Sequence, residues 1–416
     1  MRLKTSAGVG LLVAGALVVA ACGNSTNSSG SSSSSSSSSS ESSSASSVAS
    51  SSATGGSDSS TAMSSDTGSS SMSSGASSSS MSSGMSSGST SSGGGTVSGK
   101  VGVILPDTKS SARWQTKDQP TLEAAFKKAG VDAIVQNAQG DAGQMTTIAD
   151  QMITQGVKVL AIVNLDNNSG AAIEKNAASK GVKTLDYDRL TLGGSADAYI
   201  SYDNIKVGEL QGQGLADCLG QGDKNIVYLN GSPDDSNATD FAKGAHNVLD
   251  KITSYKVVAE QAVPKWDNQQ AATIFQQMIT KTGGKIDGVL AANDGLGNAA
   301  ISQLNGAKIP VTGQDATVQG LQNILAGTQC MTVFKDANKE AQALADAAIA
   351  LLKGEKPATT GTIKDSKSGR EVPAVLLTPE SITIKNVQDV IKAGGQTAAD
   401  VCKDQYAALC KANGVS

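Results

Sequence analysis

At residues 184–190 the sequence reads TLDYDRL, in which an apolar stretch gives way to Asp186, Tyr187, Asp188 and Arg189 with no turn residue between. The same change recurs along the chain. Arg113 and Trp114 follow the apolar run 101–105; Asp234, Asp235 and Asn237 follow 225–230; Trp266 follows 255–261. Asn293 and Asp294 come after 286–292, Gln314 and Asp315 after 309–313, and Lys335 after 330–334. Carboxylates and amide oxygens accept hydrogen bonds, while guanidinium and ammonium groups donate them. That mixture suits a ring of hydroxyl groups, each both donor and acceptor, and charge-assisted contacts would fix its orientation. Trp114 and Trp266 add flat surfaces of the kind that pack on the C–H faces of a sugar ring. The candidate ligand-binding set is therefore Arg113, Trp114, Asp188, Arg189, Asn237, Trp266, Asn293, Asp315 and Lys335.

Each of these residues has a plainer alternative. The tryptophans could anchor their own loops, and Asp188 and Arg189 could form a surface ion pair. Asn237, Asn293 and Asp315 each precede or open an expected helix and could serve as N-caps, as could Asp294, which reads more as a cap than as a contact. Lys335 could be a solvated hinge charge. Asp234 and Asp235 resemble a calcium loop only slightly, without EF-hand spacing, and no metal or cofactor is expected.

Such residues need elements to hold them at one end of a sheet. Short apolar runs at 101–105, 132–136, 157–163, 182–188 and 198–204 alternate with helical patterns at 120–130, 145–156 and 171–181, several of which end in glycine. A second series follows, with strands expected at 225–230, 255–261, 286–294, 309–315, 330–335 and 371–380. Its helices are expected at 205–219, 237–251, 268–282, 295–304, 317–326 and 337–353, with two more near 386–393 and 400–412. Strand–helix alternation of this kind makes parallel sheets, so the fold class is α/β with two doubly wound Rossmann-like lobes. Ligands of such sheets bind beyond the carboxyl ends of the strands, here in the crevice between lobes.

The rest of the chain fixes location. Arg2 and Lys4 precede an apolar run, 7–21, of signal-peptide length, and VAAC at 19–22 resembles the bacterial lipobox, with Cys22 as the lipidation site. From 24 to 99 the chain is nearly all Ser, Gly, Thr, Ala and Met, a composition that cannot bury a core and reads as a disordered tether spanning roughly 50 Å. The formal net charge of −4 and the scattered basic residues argue against a nucleic-acid partner. A single histidine, His246, and the lack of G-x-S-x-G or metal motifs argue against an enzyme. Asp188 with Asp315 is the one carboxylate pair a glycoside-acting enzyme could use. Cys218, Cys330, Cys402 and Cys410 can oxidise outside the cytoplasm. Cys402 and Cys410 would lie about 12 Å apart on a continuous helix, so they can pair only if the chain turns there; Cys218 with Cys330 is then the other pair.

RWQ (113–115), YDRL (187–190), YISYDNIKVGELQ (199–211), NGSPDDSNA (230–238), AANDG (291–295), TGQDA (312–316) and GTQCMTVFK (327–335) together resemble the periplasmic sugar-binding proteins of ABC importers, most closely the D-xylose-binding branch. The resemblance runs from about 100 to 385. It implies a type I periplasmic-binding fold with a three-strand hinge near 200–204, 330–335 and 376–381. It also implies closure of a monomer around one monosaccharide and delivery to a membrane permease. The expected organisation is a signal peptide (1–21), a lipidated tether (22–98), one lobe from 99–202 with 336–378, and a second from 203–335 with 379–416. The resemblance also implies that Arg113, Asp188, Arg189, Asn237, Asn293, Asp315 and Lys335 are the sugar contacts, with Trp114 and Trp266 near the ring. A sugar-sensing receptor that feeds a signalling partner would use the same closure. The tether, the four cysteines and the tail after about 390 depart from the family pattern, and the choice between a pentose and a hexose depends on space for one CH₂OH group.

Overall fold

The computed structural model describes residues 98–416; the expected signal peptide, the expected lipidation site at Cys22 and the expected tether as far as residue 97 lie outside the described residues. The chain begins with β1 (Lys100–Leu105), a π-helical turn at Trp114–Asp118, α1 (Gln119–Lys128), β2 (Asp132–Asn137), α2 (Ala142–Thr154), β3 (Val159–Ile162), α3 (Asn167–Ser179), β4 (Lys183–Tyr187) and β5 (Ala198–Tyr202). Next come α4 (Asn204–Leu219), β6 (Lys224–Asn230), α5 (Ser236–Leu249), β7 (Tyr255–Ala262), a 3₁₀ turn at Pro264–Trp266, α6 (Asn268–Thr282), β8 (Gly288–Ala291), α7 (Asp294–Gln303), α8 (Val318–Ala326) and β9 (Thr332–Phe334). The remainder is α9 (Ala337–Leu352), β10 (Gly361–Lys364), β11 (Glu371–Leu377), β12 (Glu380–Ile382), α10 (Val387–Lys392), α11 (Ala398–Val401) and α12 (Ala407–Ala412).

The first sheet has the order β10-β11-β5-β4-β3-β1-β2 and is parallel except for the β10–β11 hairpin. Alternation along β1 shows why helices cover both faces. Val101, Val103 and Leu105 join Leu122 and Phe126 of α1 and Leu344 of α9 on one face, while Ile104 meets Met145 and Met152 of α2 and Ile173 of α3 on the other. Gly102 leaves the space that Met152 fills, since a Cβ there would come 2.7 Å from its sulfur.

In the second sheet β6 lies between β7 and β8. Isolated parallel bridges, Val289 with Val311 and Gln314 with Val333, carry the ladder on to β9, which pairs antiparallel with β12. The strand expected over 309–315 is thus reduced to two bridges. Pro310 has no N–H to give, and Asp315 and Ala316 turn to φ 92° and 48°, which ends the extended ladder and sends Asp315 out of it. The chain passes between the sheets three times, at Asp203, at 335–336 and at 378–379. Two doubly wound α/β lobes joined by three strand crossings result.

Two expectations need correction. The run 371–380 is two strands, with Pro379 at the break, because β11 belongs to the first sheet and β12 to the second. The tail helix expected near 400–412 is broken into α11, a 3₁₀ turn at Asp404–Tyr406 and α12, with Asp404 at φ 51°. That turn brings the Cα atoms of Cys402 and Cys410 to 5.7 Å, and the two are disulfide-bonded. Cys218 and Cys330, with Cα atoms 6.5 Å apart, form the other bridge.

Candidate functional site

Most loops at the carboxyl ends of the strands begin helices, and their acidic residues divide into two groups. Asp203, Asp235, Asp267 and Asp336 cap α4, α5, α6 and α9, each accepting from backbone N–H groups in the first turn. Asp188 and Asp315 cap nothing. Both have positive φ, 59° and 92°, as does Trp266 at 54°. Non-glycine residues held in this region carry strain that the surrounding structure must offset, and such strain collects at functional sites.

All nine candidate residues line one cavity between the two sheets. Arg113, Trp114, Asp188 and Arg189 come from the first-sheet side; Asn237, Trp266, Asn293 and Asp315 come from the second; Lys335 stands at a crossing. Ser110, Ser111, Asp235, Phe241 and Gln314 complete the lining and were not among the nine. Asp235 and Gln314 were visible as strand-end polar residues. The two serines and Phe241 carry no comparable sequence signal, because Phe241 sits in α5 at a position that reads as core.

Arg113 is the most heavily bonded cation. Its Nε and Nη2 donate to Asp118 (2.9 and 2.7 Å), Nη2 also to Glu340 (2.6 Å), and Nη1 to Asp188 (3.1 Å). Burial works against its charge, yet Asp118, Glu340 and Asp188 outweigh that and hold the guanidinium protonated above its ordinary value. Tyr187 donates its hydroxyl to Asp118. Glu340 is fully buried, and burial, only partly offset by Arg113, pushes its carboxyl up to about 8.

Asp188 is the hub. Burial would raise its carboxyl, but Lys335, Arg113 and Arg189 together hold it below the usual range. Lys335 Nζ lies 3.7 Å from Asp188 and 3.9 Å from Asp315. The Asp188 carbonyl accepts from Tyr199, Ser201 and Asn237, each at 2.8 Å. Because Asn237 belongs to α5, the last of these bonds ties the two sides together; Ser236 Oγ to the Leu190 carbonyl (3.0 Å) is a second tie.

Arg189 Nε lies 3.0 Å from Asp235 Oδ2, but its N–H is not aimed along that contact and remains without a hydrogen-bond partner. Ser111 Oγ and Gln314 Oε1 are also buried and unpartnered. A buried polar atom without a partner is costly, and three on the wall of one cavity point to a polar ligand. The indoles, by contrast, are satisfied within the protein: Trp114 Nε1 donates to Ser110 (3.2 Å) and Trp266 Nε1 to Asp235 (3.1 Å). The Arg113 guanidinium stacks 4.5 Å from the Trp114 ring centre. Gly231 lets Trp266 sit back, since a Cβ there would fall within 2.6 Å of the indole Cζ3.

The structure separates cap from cavity at three positions. Asn237 does not cap α5, Asp235 does; Asp315 does not cap α8, Thr317 does. Asn293 both lines the cavity and caps α7. Asp294 is not the cap it was expected to be. It is a fully buried acceptor for Thr317 N (2.8 Å), Gln329 Nε2 (2.8 Å) and Thr332 Oγ1 (2.8 Å), pinning the loop that carries Asp315. Burial pushes its carboxyl to about 6.

A polar cavity closed between two doubly wound lobes, with three strand crossings beneath it, defines a substrate-binding protein of the type I periplasmic-binding class. The periplasmic binding protein domain model matches residues 101–356, and the chain belongs to that family. The chain is similar to the D-xylose-binding periplasmic protein of Escherichia coli, with 36% identity over 303 residues, 71% of this chain and 90% of that one. It is 34% identical to the multiple sugar-binding periplasmic receptor ChvE of Rhizobium radiobacter over 329 residues, 73% of this chain and 92% of that one. Among solved structures, a carbohydrate transporter solute-binding protein from Chloroflexus aurantiacus in complex with D-glucose superposes with a TM-score of 0.67 at 28% identity, covering 73% of this chain and 98% of that one. The family and these relatives are substrate-binding proteins, not enzymes.

Proposed function

We propose that this chain is the extracytoplasmic binding component of a sugar ABC importer and captures one monosaccharide, D-xylose or a similar aldose, by hinge closure. The observation that carries the reading is the cavity with three unpartnered polar atoms on its wall and two indoles beside them. The charge balance favours a neutral ligand. On the cavity wall Arg113, Arg189 and Lys335 are matched by Asp188, Asp235 and Asp315, three cations to three carboxyl groups, which offers both donors and acceptors to a ligand that brings no charge of its own. The D-xylose-binding and multiple-sugar relatives agree with this.

In this reading the nine cavity residues contact the sugar, with the first lobe formed by 99–202 and 336–378 and the second by 203–335 and 379–416. A sugar touching both sides adds to the Asn237–Asp188 tie and shifts the population toward the closed form, which the permease would recognise. Cys22 would anchor the chain to the outer face of the cytoplasmic membrane through its acyl groups. Calorimetric titration of the purified protein with a panel of monosaccharides is expected to give one saturable site for a neutral aldose and none for the matching uronic acid. Silence across the whole panel, or a preference for the acid, would remove the reading.

A further inference from the structure

Beyond β12 the chain continues into a tail of short helices, α10 to α12, past residue 356, where the family match stops. The tail folds back on the second lobe. Val390, Val401 and Cys410 share one buried cluster with Ala316, Ile324 and Phe334. Gln322 Nε2 of α8 donates to the carbonyls of Asp400 (3.3 Å) and Val401 (3.2 Å), and Gln388 exchanges two hydrogen bonds with Ser416 (3.1 and 2.8 Å). The Cys402–Cys410 bridge closes the tail on itself, and such a crosslink removes open conformations from the segment it spans.

The tail reaches the turn behind the cavity wall. Gly394, at φ 75°, ends α10, and Gly395 lets the chain lie against Phe334, whose ring would be 2.7 Å from a Cβ there. That course brings Gln396 Nε2 to the Ala316 carbonyl, at 3.1 Å. Ala316 is fully buried and, with Asp315, makes the left-handed turn that puts Asp315 on the cavity wall. Two successive non-glycine residues in that region carry strain that their surroundings must offset. Asp315 N donates to the Val333 carbonyl (2.8 Å), Ala316 N donates to Thr332 Oγ1 at 3.3 Å, and Asp294 holds Thr317. Gln396 adds a bond from the other side, and the tail core packs under Ala316.

We infer that the disulfide-closed tail is a positioning element for Asp315: through Gln396 and the core beneath Ala316, it holds the Asp315–Ala316 turn in its cavity-facing geometry. The inference rests on the reading of the cavity as a sugar site. The tail also touches the first-sheet side, where Lys117 Nζ of the Trp114–Asp118 turn donates to the Gly394 carbonyl (3.2 Å). That bond is exposed and does not involve the Asp315–Ala316 turn. Removing it therefore separates the positioning of Asp315 from a simple clasp between the two sides.

The test uses the full protein with Q396A, C402A/C410A and K117A, together with D315G, in which glycine accepts the φ of the turn while the carboxylate is removed. Affinity is titrated with D-xylose, or with whichever aldose the monosaccharide panel selects. Q396A and C402A/C410A are each expected to weaken binding about fivefold, and K117A to change it by less than about twofold. In the D315G background Q396A is expected to add nothing, because a side chain that is absent cannot be misplaced. A tail that merely stabilised the second lobe would cost the same in both backgrounds. Amide exchange at Asp315 and Ala316, followed without sugar, should accelerate in Q396A and C402A/C410A. Asp188, whose N–H bonds the Ile200 carbonyl (2.8 Å) in the first sheet, should keep its wild-type rate. Should the double cysteine variant fold poorly, Q396A carries the test, since it cuts a single partly buried hydrogen bond. Unchanged exchange at Asp315 and Ala316, an equal loss from Q396A in the D315G background, or a K117A as weak as Q396A would overturn the inference. If no aldose binds, the functional reading fails, and the exchange comparison still decides whether the tail orders the turn.

Discussion

Replacing Asp188 with alanine is expected to weaken sugar binding by roughly a hundredfold or more, since truncating one partner of a buried hydrogen-bonded charge pair costs about 2–5 kcal/mol. In the proposed site Asp188 would accept from the ligand, and its buried carboxylate also balances Arg113 and Lys335. D188A therefore removes a contact and leaves two cavity cations short of a counter-charge. The alanine also has to occupy φ 59°, which its Cβ disfavours. Asp234 lies three residues before Asn237, is exposed, and lines no part of the cavity, so D234A should leave affinity within about twofold. Equal losses in both variants, measured by titration with the same aldose, would mean that the cavity is not where the ligand binds.

The largest effect on stability is expected at the crossing of α4 and α5. Gly208 and Gly244 let the two helices approach backbone to backbone: a Cβ on Gly244 would sit 2.8 Å from Glu209 N, and one on Gly208 2.9 Å from Ala245 N. Neither backbone can yield as a flexible side chain would. Gly244→Val should destabilise the fold by about 3 kcal/mol or more, at or beyond the upper end of the usual overpacking range. The same helices carry Asn237 and begin at the Asp203 crossing, so sugar affinity should fall with stability. Gly361, with open space around it and no positive φ, is the control; G361A should leave the urea midpoint nearly unchanged. An unshifted midpoint in G244V would show that the helices are not so closely packed.

Much of the architecture was legible because strand–helix alternation leaves a periodic trace and because the carboxyl ends of parallel strands gather their polar residues at one place. All nine candidates fall on one cavity for that reason. The supporting layer was not legible. Asp118 and Glu340 lie in helical turns where a charged residue ordinarily faces solvent, and only the tertiary fold shows that both are buried against Arg113. Asp294 looked like a cap because it stands beside one, Asn293. The strand expected at 309–315 failed at Pro310 and at two left-handed residues, a local conformation that serves the site and that β propensity does not encode. The β10 strand was missed because its hairpin partner, and not its own pattern, makes it a strand.

The most direct test of the central claim uses the two tryptophans. Trp114 and Trp266 are the only tryptophans in the chain, and both line the cavity. Intrinsic tryptophan emission is therefore a report from the proposed site alone. Titration with D-xylose or a similar neutral aldose is predicted to change that emission along a single saturable curve, and D188A is predicted to lose it. An aldose that binds by calorimetry while leaving the emission untouched would contradict the account, because the ligand would then sit elsewhere.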